Sequence, residues 1–98
     1  MRIEVSKYFI DIGCKSDEQN CPIALAISHK IGFDNVESIM VGEDNVSLKL
    51  RGGKKRKFQY IDLSQRAKKF IRDFDGHDSA KALNLKPFSF NLPIDLTR

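Results

Sequence analysis

The segment 21–32, CPIALAISHKIG, constrains the fold more than any other part of this sequence. Asn20 belongs to a residue type that often caps a helix start, Pro22 suits the first helical turn, and Gly32 is typical of a helix end. Residues 21–27 are all apolar, so the first two turns of the predicted helix have no polar face. Such a helix is mostly buried, and the rest of the chain has to cover it.

Strands predicted in the rest of the chain can cover this helix. Five segments have the alternating or Pro-flanked apolar patterns that indicate strands. They are RIEV (2–5), VESIMV (36–41), VSLKLR (46–51), KRKFQYI (55–61) and PFSFNL (87–92).

Two further helical segments are predicted. Ser6 can cap a short turn through KYFIDI that ends at Gly13. Asp62 or Ser64 can cap a longer helix that ends at Gly76. The apolar residues of that helix recur at helical spacing, at Leu63, Ala67, Phe70, Ile71 and Phe74.

The length and the order of these segments predict a single domain over residues 1–98. The order β-α-β-β-β-α-β indicates an α+β fold, with a mostly antiparallel sheet of four to five strands and two helices packed on one face. A composition of 41% hydrophobic and 31% charged residues is typical of a globular chain. No apolar run reaches the ~20 residues of a membrane helix, and the N-terminus lacks the apolar stretch of a signal peptide. We therefore expect a cytoplasmic protein with no membrane partner.

Positive charge is concentrated in one part of the chain. The segment 49–58, KLRGGKKRKF, contains six lysine or arginine residues and no acidic residue. Residues 49–72 together carry ten basic and one acidic residue, a charge of +9, whereas residues 1–48 carry −4 and residues 73–98 carry −1. This asymmetry is typical of a surface that faces an anionic partner.

The loop between the two central strands decides which side chains face the core. A two-residue glycine turn would place Leu48 opposite Lys57, which buries a lysine beside a leucine. A three-residue loop over 52–54 places Leu48 opposite Phe58 and turns Tyr60 to the core as well. We predict the second register, in which these aromatic rings are not available to stack on bases.

The same register places like charges opposite each other on the outer face, with Lys49 facing Lys57 and Arg51 facing Lys55. Such pairs destabilise a sheet by up to about 1 kcal/mol each, and a phosphate or carboxylate partner would convert the repulsion into attraction. Lysine-rich strands also keep proteins soluble and prevent edge-to-edge aggregation, so this structural explanation stays open.

The sequence thus predicts a polyanion-binding surface made by the hairpin and by the outer side of the second long helix. The partner expected for it is nucleic acid or an acidic surface of a host protein. Its candidate residues are Lys49, Arg51, Lys54, Lys55, Arg56, Lys57, Arg66, Lys68, Lys69 and Arg72.

Candidate catalytic and metal-binding residues are sparse. Cys14 and Cys21 are expected to be free thiols in a reducing compartment, although Cys21 at a helix start could have a lowered pKa. His29 is expected on the polar side of its helix. His77 could bind metal together with Asp75 and Asp78, and a metal or thiol site that uses the two cysteines is a further alternative. We expect no cofactor and no enzymatic activity.

The motifs CPIALAI (21–27), FIRDFDG (70–76) and PFSFNL (87–92) give the chain a family resemblance. Over most of its length it resembles a group of small, largely uncharacterised bacteriophage and prophage proteins. These motifs are structural and carry no catalytic residues. The resemblance implies an accessory role in a bacterial host, such as binding and blocking a defence system like CRISPR–Cas. The basic hairpin is not a feature of the group at large, and this member's own activity is expected there.

Overall fold

A computed structural model describes residues 1–14, 17–51, 59–76 and 85–94 of the chain. In chain order the elements are β1 (Arg2–Val5), α1 (Lys7–Ile12), α2 (Pro22–Ile31), a 3₁₀ turn (Phe33–Asn35), β2 (Val36–Val41), β3 (Asn45–Leu50), β4 (Gln59–Asp62), α3 (Gln65–Gly76) and β5 (Phe88–Asn91). The predicted α+β class is confirmed. None of the helices in these ranges is long and apolar enough to cross a membrane.

The described strands pair only in antiparallel fashion and are divided between two sheets. One sheet has the order β2-β3-β4, and the other pairs β1 with β5. The second sheet joins distant parts of the chain, since the amino group of Met1 donates to the carbonyl of Leu92 at 3.0 Å and the N–H of Leu92 donates back at 2.8 Å.

Helix α2 lies at the centre of the core, as its apolar sequence predicts. It packs against β1, β2 and α1, and Ile23 and Ile27 are fully buried. Gly32 ends the helix with a φ of 105°, a backbone conformation that favours glycine. Pro22 occupies the first turn as expected.

The predicted cap of α2 is wrong by one residue. The cap is Cys21, whose Sγ accepts a hydrogen bond from the N–H of Ala24 at 3.4 Å. The side chain of Asn20 instead donates to Asp17 Oδ2 at 3.2 Å. Asn20 therefore stabilises the preceding loop, and the buried thiol takes the capping position.

The other predicted helix signals are confirmed. Ser6 caps α1 and Gly13 ends it, while Ser64 caps α3 by accepting from the N–H of Ala67 at 3.2 Å. The buried face of α3 consists of Ala67, Phe70, Ile71 and Phe74. Phe70 lies 4.8 Å from Phe88, centroid to centroid, so α3 packs against β5.

The predicted register of β3 and β4 is wrong by one residue. Leu48 pairs with Gln59, and Val46 pairs with Ile61. Because successive strand residues point to opposite faces, this shift turns Tyr60 outward, where it is 74% exposed, and Ile61 inward, where it is 7% exposed. Ile61 fills the apolar site without burying a hydroxyl group that would need a hydrogen-bond partner.

Candidate polyanion-binding surface

Six of the ten predicted binding residues lie in the described part of the chain. Lys49 and Arg51 lie at the end of β3, and the others lie on α3. The remaining four, Lys54, Lys55, Arg56 and Lys57, lie outside the described residues. The predicted Lys49–Lys57 and Arg51–Lys55 pairs each include a residue outside the described ranges. The described part of the ladder is offset by one residue from the register that predicted these pairs.

Lys49 lies next to a carboxylate, whereas the predicted register placed it opposite another lysine. Its Nζ lies 3.7 Å from Glu37 Oε2, and the two side chains are 26% and 34% exposed. The pairing of Val36 with Leu50 and of Ser38 with Lys49 leaves Glu37 as an extra residue in β2. Such an irregularity is typical of a β-bulge, and it brings the carboxylate of Glu37 next to Lys49.

Arg51 remains exposed at the end of β3. Its Nε donates to the carbonyl of Val36 at 3.4 Å, and its backbone N–H donates to the carbonyl of Asn35 at 2.9 Å. Within the described ranges no carboxylate lies within salt-bridge distance of its guanidinium. Arg51 can therefore present positive charge to a ligand.

Helix α3 carries the largest group of cations in the described structure. Arg66, Lys69 and Arg72 recur every three residues along the exposed side, and Lys68 is half-buried beside them. We call these four residues the α3 patch. None of the four forms a salt bridge with a carboxylate of the described residues. The guanidinium carbon of Arg66 lies 5.5 Å from the ring centroid of Phe88, within the range of a cation–π contact.

The charges on α3 run against the helix dipole. Acidic side chains stabilise a helix start and basic ones a helix end, by about 0.3–1 kcal/mol each. Helix α3 has no acidic residue in its first turn and no basic residue in its last turn, while Asp73 and Asp75 lie near its end. This order of charges does not serve the stability of the helix.

The α3 patch and Arg51 lie at different ends of the β2-β3-β4 sheet. The N–H of Leu63, just before α3, donates to the carbonyl of Asp44 at the start of β3. Arg51 lies seven residues further along that strand, a distance of roughly 20 Å. The described cations thus form two separate groups instead of one continuous patch.

Tyr60 is a surface residue, whereas the predicted register placed it in the core. It lies on the outer face of the sheet opposite Ser47, which in turn pairs with Met40 of β2. The alternation of Ile61 and Leu63 with Tyr60 and Asp62 contained the signal for this orientation. The length of the glycine loop indicated the opposite orientation.

A groove between α1, α2 and the 3₁₀ turn is a second feature that the sequence did not indicate. It has a volume of ≈ 650 Å³, and we call it the aromatic groove. Its rings form a row, with centroid distances of 5.8 Å from Tyr8 to Phe9, 5.5 Å from Phe9 to His29 and 6.4 Å from His29 to Phe33. His29 is exposed as predicted, but it lies between two phenylalanines. The exposed residues Tyr8, Ile12 and Phe33 make this the most apolar surface among the described residues.

The cysteines are free thiols in different surroundings, with Cys14 exposed and Cys21 buried. Burial raises the pKa of the Cys21 thiol, because an apolar environment disfavours the thiolate. The hydrogen bond from the N–H of Ala24 acts in the opposite direction, and the carboxylates of Asp75 and Asp17 raise the pKa further. The alternative of a lowered pKa at this helix start is therefore wrong.

Across the described ranges no cluster of three or more His, Cys, Asp or Glu residues could hold a metal ion, and His77 lies outside them.

The segments that carry the phage resemblance have structural roles here. CPIALAI forms the start of α2, FIRDFDG forms the end of α3, and FSFN forms β5. None of the three supplies an exposed cation apart from Arg72. No known protein family, curated protein or solved structure matches the chain, so the phage resemblance stays a prediction.

Proposed function

We propose that this chain is a non-catalytic accessory protein of a phage or prophage that acts in the cytoplasm of a bacterial host. It binds a polyanionic partner, which is nucleic acid or a complex that handles nucleic acid. The observation that carries this proposal is the α3 patch, a group of cations that no described carboxylate neutralises.

The energetics of α3 support a ligand-binding role for these charges. Lys68 and Arg72 are four residues apart, and like charges at this spacing destabilise a helix by about 0.2–0.5 kcal/mol. The opposition to the helix dipole adds to this cost. A row of phosphates on the outer side of α3 would turn both effects into attraction, and the release of counterions would favour binding further.

The end of β3 supports the same proposal. Arg51 is exposed, and the sequence that follows it continues with Lys54, Lys55, Arg56 and Lys57. A polyanion that bound both Arg51 and the α3 patch would have to extend over roughly 20 Å, which a nucleic acid does easily.

Charge reversal on α3 tests the proposal. We expect Lys69→Glu and Arg72→Glu each to weaken binding to nucleic acid roughly tenfold at 50 mM salt. The loss of each phosphate contact should also reduce the slope of log affinity against log salt concentration by about 0.7–0.9. Electrophoretic mobility shifts over a salt series would measure both quantities. Lys30→Glu is the matched control, since Lys30 is exposed on α2 and the substitution changes the net charge equally.

Two results would contradict the proposal. One is an equal loss of affinity in Lys30→Glu, which would mean that only net charge matters. The other is the absence of any salt-dependent binding to DNA, RNA or heparin by the unchanged protein.

A second candidate function is inhibition of a host defence system such as CRISPR–Cas by direct protein contact. The aromatic groove favours it, because exposed tyrosine and phenylalanine side chains are enriched at protein interfaces. If this candidate is correct, the protein inhibits a purified CRISPR–Cas nuclease, Ile12→Glu in the groove abolishes the inhibition, and Lys69→Glu leaves it unchanged. Inhibition that Lys69→Glu removes and Ile12→Glu does not would assign the effect to the α3 patch instead.

A further inference from the structure

We infer that the polyanion is a single-stranded nucleic acid and that Tyr60, on the outer face of the β2-β3-β4 sheet, stacks on one of its bases. This inference rests on the proposed function, because it names the ligand class of the same basic surface. It follows from the position of Tyr60, which a one-residue change of register moves from the core to the surface.

The outer face of this sheet is open in the described structure. Helix α2 packs against β2 of this sheet, and Val46, Leu48 and Ile61 are buried on the face opposite to Tyr60. On the outer face, Met40, Tyr60 and Asp62 are exposed. An aromatic ring that is 74% exposed on a strand contributes little to the core and is accessible to a planar ligand.

Tyr60 lies in a row of three outward-facing residues across the three strands. Ser47 pairs with Tyr60 on one side and with Met40 on the other. Adjacent strands are about 4.8 Å apart, so the row from Met40 to Tyr60 spans roughly 10 Å. The residue between them, Ser47, is small, and Met40 is itself 41% exposed.

Cationic residues continue from this row along β3. Ser47 and Lys49 lie on the same side of β3, because side chains alternate along a strand, and Arg51 follows the end of the strand. Lys49 is paired with Glu37, and Arg51 is an exposed residue whose Nε donates to the carbonyl of Val36. Arg51 is therefore the described cation near this row that could contact a phosphate.

A single strand fits this arrangement better than a duplex does. In a duplex the faces of the bases are stacked on each other and cannot reach a ring on a flat sheet. In a single strand they are accessible, and sheets that display aromatic residues bind unpaired bases in this way. Tyrosine is also common at protein interfaces, and the experiments below distinguish a protein partner from a nucleic acid.

The chain offers a direct spectroscopic test, because it has two tyrosines and no tryptophan. In the Tyr8→Phe variant Tyr60 is the only tyrosine. We expect oligo(dT) to quench its fluorescence in a saturable way, with the same midpoint as fluorescence anisotropy of a labelled oligo(dT). If the labelled oligonucleotide binds but the fluorescence of Tyr60 is not quenched, the inference is wrong.

Substitution of Tyr60 gives the second measurement. Stacking on an aromatic ring contributes enough that Tyr60→Ala should weaken oligo(dT) binding roughly 5- to 150-fold, whereas Tyr60→Phe keeps the ring and should bind within about twofold of the unchanged protein. Tyr8→Ala, the same change at the exposed tyrosine of α1, should leave the affinity unchanged. Urea unfolding of each variant shows whether the fold is retained.

The outcomes distinguish this inference from the proposed function. If Lys69→Glu weakens oligo(dT) binding and Tyr60→Ala does not, polyanion binding stands and stacking is refuted. If a duplex binds as tightly as oligo(dT), the assignment to a single strand is refuted. If no nucleic acid binds and Tyr60→Ala instead abolishes a nuclease-resistant complex with a host protein, the sheet face is a protein interface and the inference fails.

Discussion

Replacing Phe70 with alanine should lower the free energy of unfolding by about 3–5 kcal/mol. Phe70 is 7% exposed, and its ring centroid lies 4.8 Å from that of Phe88 and 5.8 Å from that of Phe74. The substitution removes these contacts and leaves a cavity between α3 and β5 that the surrounding structure fills only in part. Because a domain of this size is stable by about 5–15 kcal/mol, the loss is a large share of its stability.

Phe33→Ala is the control for this prediction, because it makes the same chemical change at a residue that is 56% exposed. We expect it to change the free energy of unfolding by about 0.5 kcal/mol or less. Urea unfolding followed by far-ultraviolet circular dichroism would measure both variants. Similar losses in the two would show that Phe70 does not anchor α3 to β5.

Gly13→Ala should destabilise the protein by about 1–3 kcal/mol through overpacking. Gly13 has a φ of −65°, which any residue can adopt, so the glycine is required for space and not for conformation. A Cβ at this position would lie 2.5 Å from Cδ of Pro22 and 2.8 Å from the carbonyl oxygen of Phe9. The proline ring is rigid and fully buried, and the carbonyl belongs to the backbone, so neither can move away at low cost.

Gly42→Ala provides the matched comparison. Its Cβ would meet no atom closer than the carbonyl oxygen of Asn45 at 3.6 Å, which is an ordinary contact. We expect this variant to be neutral or stabilised by up to about 1 kcal/mol, since alanine restricts the unfolded chain. If the two variants lost stability equally, the close contact between the end of α1 and the start of α2 would not be the cause.

Local signals predicted the helices well, because the caps and ends of a helix are set by residues within one turn. Gly32, Ser6 and Ser64 have the roles that their residue types indicate. The cap of α2 was the exception. Asn20 and Cys21 are both close enough to cap this helix, and the choice between them depends on Asp17, whose side chain binds the amide of Asn20.

Strand positions were also predictable, but strand partners were not. Alternating apolar residues mark a strand without specifying which strand lies beside it. The separation of the β1-β5 pair from the other three strands depends on contacts between the two ends of the chain. The register of β3 and β4 depends on how the core accommodates Ile61, and turn chemistry at the glycines did not reveal it.

The candidate site, too, was predictable where local sequence decides the structure and not where strand pairing decides it. The cationic character of α3 follows from its sequence and helical spacing, and it did not need the structure. The pairing of Lys49 with Glu37 depends on an irregularity in β2 that no residue type in the sequence predicts. The exposure of Tyr60 depends on the register, so the prediction that this ring faces the core was wrong along with it.

The pairing of β1 with β5 has a consequence for synthesis of the protein. Arg2 pairs with Asn91, so β1 leaves the ribosome long before its partner has been translated. Until then the nascent chain has an unpaired strand and an incomplete cover over α2, and such exposed edges promote aggregation. Chaperone binding during translation, and premature stop codons late in the reading frame, should therefore affect the yield of this protein strongly.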